Sequence, residues 1–214
     1  MSLGSGRLQF SSDEIRDLLV AWAALGLAFA IFFEGGGTRF VAALSGGTAV
    51  VLIVVSLLTA GVGFLLHELG HKVTAVRYGQ IAEFRADYGM LFLAVVSATI
   101  GFLFAAPGAV HHQGRLTERQ HGLIALAGPV VNLVLSVIFF PLWIVGIVAG
   151  LDLLTLIGGR GLAINLFLAG FNMIPFGPLD GKTVLSWSKP VFAVTFVVSV
   201  GLAVLVVFVF GIGF

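Results

Sequence analysis

Cysteine is absent from the 214 residues. The chain therefore has no disulfide and no thiolate metal ligand, and any zinc it holds must rest on histidine and carboxylate side chains. Without cysteine the redox compartment cannot be read. Charge is also scarce: only 10% of residues are Asp, Glu, Lys or Arg, against about 25% in an ordinary soluble domain. The formal net charge is +1, and no basic stripe or cluster exists, which excludes a nucleic-acid surface. Asparagine is rarer still, occurring only as Asn132, Asn165 and Asn172. The chain is instead 59% hydrophobic, with a mean hydropathy of +1.13. These values describe an integral membrane protein, best treated as one bundle of several helices with no room for a sizeable soluble domain.

Against that background the stretch Val62 to Val76, VGFLLHELGHKVTAV, stands apart. His67 and His71 are an i, i+4 pair, so on a helix they share a face and both imidazoles can reach one metal. Glu68, one step round, lies beside the metal's open position. Two histidines alone make a poor closed structural site. Two plus a distant third ligand leave a fourth position for water, whose pKa the metal lowers to about 7. Glu68 can then take the water's proton. The competing reading, histidines that merely fill a core, is weakened by the cost of ionisable side chains in an apolar span, where they are functional by default.

Along the chain, Met1 to Gln9 is rich in Gly and Ser and is expected to fray. Ser11 or Ser12 followed by Asp13, Glu14 and Asp17 reads as a helix start, with acids at the positive end of the dipole. Leu18 to Phe33 is the first apolar run, and the acids ahead of it argue against a cleaved signal peptide. After a turn at Glu34 to Thr38, Phe40 to Leu66 runs apolar into HELGH, with a kink at Ser45-Gly46-Gly47 and an end near Tyr78-Gly79. Gln80 to Tyr88 alternates with a period of two, which predicts a short strand. Gly89 to Ala106 is apolar, and either crosses the membrane or forms a hairpin. Pro107 to Gln120 reads as a polar loop in which His111 and His112, with the following His121, are solvated. His121 to Gly150 is a long apolar segment that tolerates Pro129 and Pro141 as kinks. Within Leu153 to Ile174, the run Gly158-Gly159-Arg160-Gly161 predicts a loop, with the helix starting at Leu162. Pro175, Gly177, Pro178 and Gly181 place Asp180 on non-helical backbone, and Val191 to Phe214 is an uncharged last span. The fold expected is an all-α polytopic membrane protein of about five to six transmembrane helices, with a small β-hairpin or sheet insert after the metal-binding helix.

Charge asymmetry decides the ambiguous segment. If Gly89 to Ala106 crosses the bilayer, the Lys and Arg residues divide almost evenly between its two sides. If it dips in and returns, Arg7, Arg16, Lys72, Arg77, Arg85, Arg115, Arg119, Lys182 and Lys189 share one side and leave Arg39 and Arg160 opposite. The positive-inside rule selects the second arrangement. That choice also brings Asp180 to the same membrane face as HELGH, so Asp180 can be the third ligand, reached from the cytoplasmic half. The three asparagines lie in or against apolar spans instead of in the turns this residue favours. Asn132 and Asn172 are expected to face the metal and hydrogen-bond the substrate backbone or the oxyanion. Asn165 lies two turns before Asn172 on a shared face. The other reading of all three is packing glue between helices.

HELGH at 67–71, AGPVVN at 127–132 and NMIPFGPLDG at 172–181 occur in the order found in the site-2 proteases, which are intramembrane zinc metalloproteases. The chain resembles that family over roughly Leu18 to Gly181. The resemblance implies His67, His71 and Asp180 as ligands of one Zn2+ per chain, and Glu68 as general base. It implies regulated intramembrane proteolysis, the hydrolysis of peptide bonds in or near transmembrane segments of membrane-protein substrates, by a multi-pass cell-membrane protein. The partners are then transmembrane protein substrates and the lipid bilayer, with no nucleic acid. Many relatives carry a PDZ or CBS domain; neither fits here, so residues 1–214 read as a single catalytic core domain. A peptide bond inside a helix is shielded by its own hydrogen bonding, so a substrate must unwind locally. The strand near Ala82 to Ala86 and the apolar hairpin offer an edge for strand addition. Two other classes compete. A different kind of membrane zinc hydrolase would normally use a glutamate as third ligand, and no suitable Glu-bearing helix follows HELGH. A metal transporter would need ligands along a path across the bilayer, whereas the remaining histidines cluster in one loop.

Overall fold

Residues 8–213 are described by a computed structural model; Met1 to Arg7, the larger part of the Gly- and Ser-rich start, and Phe214 lie outside the described residues. Ser11 opens α1 (Ser12–Phe33) by accepting a hydrogen bond from Glu14 N at 3.0 Å, the N-cap that its hydroxyl favours. After a turn come two short helices, α2 (Gly37–Ser45) and α3 (Thr48–Ser56), parted by Gly46 and Gly47, the latter at φ +74°. A π turn (Leu57–Gly61) then joins α3 to α4 (Val62–Arg77). The π turn packs on α1, where Trp22 Nε1 donates to Leu57 O at 3.0 Å. Gly79, at φ +76°, follows the last turn of α4. Next come β1 (Ile81–Ala86), α5 (Tyr88–Thr99) and β2 (Gly108–Gln113). The rest of the chain is α6 (Glu118–Ala149), α7 (Asp152–Asn172), α8 (Asp180–Trp187) and α9 (Lys189–Ala203), which runs on as a π turn (Val204–Val209).

Five helical runs are long and apolar enough to cross a membrane: Ser12–Phe33, Thr48–Arg77, Glu118–Ala149, Asp152–Asn172 and Lys189–Val209. The segment from 89 to 106 is not a sixth. α5 has 12 residues, about 18 Å of helix against a hydrocarbon core of about 30 Å. The chain then returns without regular structure to β2. Strands β1 and β2 pair antiparallel from Ile81↔Gln113 to Ala86↔Gly108, so the excursion leaves and re-enters at the same end of the bundle. The two strands are thus joined through α5 and not by a tight hairpin turn. β2 occupies the region read from sequence as a polar loop; its strand character comes from pairing with β1, which no local alternation in GAVHHQ announces.

Gly158 to Gly161 is not a loop either. It lies inside α7, and its glycines let α6 approach. A Cβ at Gly158 would stand 2.3 Å from Trp143 N, and one at Gly161 would stand 2.2 Å from the Phe139 ring. Small residues at a helix crossing are the usual means of close packing in a bilayer. Arg160 is therefore buried within a span, its guanidinium 4.5 Å over the Phe33 ring. Arg160, against the last residue of α1, and Arg39, just beyond it, both lie toward the end away from the sheet, as the charge asymmetry predicts. Asp180 also departs from its expected irregular backbone, since it is the first residue of α8, where an acid favours the helix dipole.

Candidate metal centre

α4 turns His67 and His71 toward α6, which meets their Nε2 atoms with a glycine, Gly128. A Cβ at Gly128 would lie 2.5 Å from Nε2 of both histidines. Any other residue there would fill the space between them. The third member arrives from the loop after α7, which turns at Gly177 (φ +60°) and delivers Asp180 at the start of α8. Gly181 permits that approach, because a Cβ on it would sit 2.1 Å from Met173 O.

The three donor atoms form a small triangle. His67 Nε2 and His71 Nε2 are 3.0 Å apart, and Asp180 Oδ2 lies 3.3 Å from the first and 3.4 Å from the second. Bond lengths of about 2.0–2.1 Å at tetrahedral angles put zinc ligands about 3.3 Å apart, so the triangle matches one face of such a site. Its protonation follows from the far side of each ring. Ile124 O, which can only accept, lies 2.7 Å from His71 Nδ1, and Asn132 Oδ1 lies 2.6 Å from His67 Nδ1. Both Nδ1 atoms therefore carry hydrogen, and both Nε2 lone pairs converge. Asp180 Oδ2 is buried and has no hydrogen-bond partner. Converging lone pairs, an unsatisfied anionic oxygen and the room left by Gly128 fit a divalent cation.

Glu68 is buried and lines the cavity that holds this cluster. The cavity measures about 360 Å³, and its wall includes Phe29 of α1, Phe167 and Phe171 of α7, and Val110 and His112 of β2. The backbone N–H of Val110 points at the Glu68 carboxylate. The register gives the same direction independently. The partner of Val110, Phe84, sends its own N–H away from β2 to Glu14 Oε1 at 3.0 Å, so this is a non-hydrogen-bonded pair whose backbone groups face outward.

Sequence reasoning drew Asn132 and Asn172 toward the site. Asn132 is fully buried and is absent from the cavity wall; its oxygen is on His67, and its nitrogen donates to Gly63 O and Asn165 Oδ1. Both ends of its amide are thus engaged within the protein. Asn172 does line the cavity, with Nδ2 turned back to Leu168 O at 3.0 Å. His112 and His121, read as solvated, line the same cavity with ring centroids 5.3 Å apart. Burial first, then the neighbouring His121, His111 and His71, keep the His112 pKa below its usual value. Gly128 also escaped notice as a site residue, although a glycine placed directly before a proline within an apolar span is a signal for close approach.

The acids of α1 were legible only as helix-start residues. Glu14 is in fact fully buried and pairs with Lys72, while Asp17 accepts from Ala86 N at 3.1 Å and Tyr88 Oη at 2.6 Å.

Comparison with known proteins agrees with this geometry. A candidate zinc metalloprotease of Methanocaldococcus jannaschii is 38% identical over 188 residues, spanning 87% of this chain and 90% of that protein. One from Synechocystis is 37% identical over 147 residues, 66% of this chain but 33% of its own length. A second Methanocaldococcus jannaschii protein, a zinc metalloprotease by name, is 30% identical over 132 residues, 58% of this chain and 31% of its own. No family model and no solved structure matches the chain. The likeness along nearly the whole of the first relative establishes that this chain belongs to the site-2 protease family of zinc metalloproteases.

Proposed function

We propose that the protein is an intramembrane zinc metalloprotease that hydrolyses peptide bonds in or near the transmembrane segments of membrane-protein substrates. One observation carries the reading: two imidazole lone pairs and an unsatisfied carboxylate oxygen converge within 3.4 Å, next to Glu68, inside a bundle of membrane-length helices. His67, His71 and Asp180 would hold one Zn2+ per chain. Zinc in that position supplies Lewis-acid activation of water and of the scissile carbonyl. Glu68 is the general base, taking the water's proton and returning it to the departing amine nitrogen. Asn172 is the side chain best placed to release its bond to Leu168 O and donate to a substrate carbonyl.

The substrate must present an extended segment, and the outer edge of β2 is where its backbone would pair. Val110 and His112 face the cavity there, so main-chain hydrogen bonding would hold the unwound segment beside Glu68. The outer edge of β1 is taken by Glu14 and Asp17. The aromatic wall of Phe29, Phe167 and Phe171 suits the apolar side chains of a membrane segment. The basic residues around the metal centre's end of the bundle support a reading in which that end lies in the cytoplasmic half of the membrane. We read residues 1–214 as a single catalytic core domain.

The test is cleavage of a panel of single-span substrates by the purified chain. The wild type should cleave those with helix-breaking residues, lose activity to a chelator and regain it with zinc. Glu68→Gln should bind zinc yet fall by about 10²–10⁴-fold in kcat. A Glu68→Gln variant that cleaves at the wild-type rate would reject the assignment.

A further inference from the structure

Behind His67 the polar contacts run in one direction. Gly161 O can only accept, so Asn165, 2.8 Å away, must turn Nδ2 to it and present Oδ1 to Asn132. Asn132 must then turn its own Nδ2 to that oxygen, at 2.9 Å, while the same nitrogen reaches Gly63 O at 3.1 Å. Only Asn132 Oδ1 is left for His67 Nδ1, 2.6 Å away. Both asparagines are fully buried. Gly63 makes the room they need, since a Cβ there would come within 2.7 Å of Asn165 Oδ1. Each amide's orientation is thus fixed by the one before it, starting from a backbone carbonyl on α7 and ending on a ring of α4.

We propose that Asn132 and Asn165 are positioning residues, a two-amide relay anchored on the Gly161 carbonyl that holds His67 as its Nδ1–H tautomer and aims Nε2 at the metal. The inference rests on the zinc reading above and gives these two asparagines a task separate from substrate binding. A relay depends on the acceptor atom, whereas simple helix glue depends on volume and contact. Removal of a partner that orients a metal-bound histidine weakens metal affinity about 10–100-fold.

The experiment measures zinc affinity of the full chain in detergent by chelator competition, together with the visible spectrum of the cobalt-substituted protein. Asn132→Leu keeps the volume and removes the acceptor; it should bind zinc about 10–100-fold more weakly and shift the cobalt bands. Asn132→Asp keeps an acceptor for His67 but loses the donor to Asn165 Oδ1 and Gly63 O, so its zinc affinity should fall between those of wild type and Asn132→Leu. Asn165→Leu leaves the His67 contact in place and should lose about three- to tenfold, which also serves if Asn132→Leu does not accumulate. Wild-type affinity in both Leu variants, or an Asn132→Asp as weak as Asn132→Leu, would overturn the relay. Failure of the underlying reading looks different: the wild type itself would then bind no zinc, or would bind zinc without cleaving any substrate.

Discussion

The two strands of the small sheet belong to one ladder, yet their outer edges are finished in opposite ways. On β1, Phe84 N and Ala86 N donate to the carboxylates of Glu14 and Asp17. Glu14 is in turn paired with Lys72, whose ammonium also donates to Gln9 O at 2.6 Å and lies 3.9 Å over the Phe10 ring. On β2, the outer edge meets no third strand among the described residues and opens into the cavity beside Glu68. A free edge is a liability that proteins usually cover. Here the cover is built from buried charges, which is costly to make, on the edge away from the metal centre. The contrast accords with the proposal that substrate pairs on the edge facing Glu68.

The largest expected effect comes from opening the closed edge. Glu14→Ala strands Lys72 as an unpaired buried charge and should lower stability by about 3–5 kcal/mol in thermal unfolding. The double variant with Lys72→Met should recover most of that loss. A change below about 1 kcal/mol would mean that the β1 edge is not held by this pair.

Closing the open edge is the complementary step. Val110→Pro removes the N–H that points at Glu68, and should reduce kcat/KM by about tenfold or more, equivalent to about 1.4 kcal/mol, with zinc content unchanged. Undiminished cleavage would show that substrate does not pair there. A gentler perturbation of the closed edge is Asp17→Asn, which keeps an acceptor for Ala86 N and gives up the charge. Its unfolding free energy should fall by about 1–2 kcal/mol.

The smallest effect concerns His112 on the open edge. Its pKa is lowered in the fold, so the unfolded chain binds more protons just below the ordinary histidine value. Stability should therefore decline as pH falls through that range. His112→Gln should flatten part of the decline in melts at pH 5.5 and 7.5, and an identical slope in both proteins would remove His112 as its source.

What could be read from the sequence was what local periodicity encodes. The i, i+4 spacing of His67 and His71, the Ser11 cap and the Gly79 stop are properties of single segments. One signal reached further. Charge asymmetry returned the 89–106 excursion to its starting end, which the pairing of Ala86 with Gly108 bears out. What stayed hidden depends on neighbours distant in the chain. β2 exists because β1 pairs with it. Gly158 to Gly161 reads as a loop until Trp143 and Phe139 are seen packed against it. Glu14 and Asp17 suit a helix start by sequence, but their buried role requires the edge of β1. Asn132 was drawn to the site, but nothing in its spacing announced the bond from its oxygen to His67.

The account stands on three distant side chains sharing one ion, and metal analysis of purified protein tests this most directly. The full chain should carry one zinc, and Asp180→Ala, with an unchanged far-UV spectrum, should retain less than about a tenth of that under the same dialysis. A folded Asp180→Ala protein that keeps its full zinc complement would contradict the account.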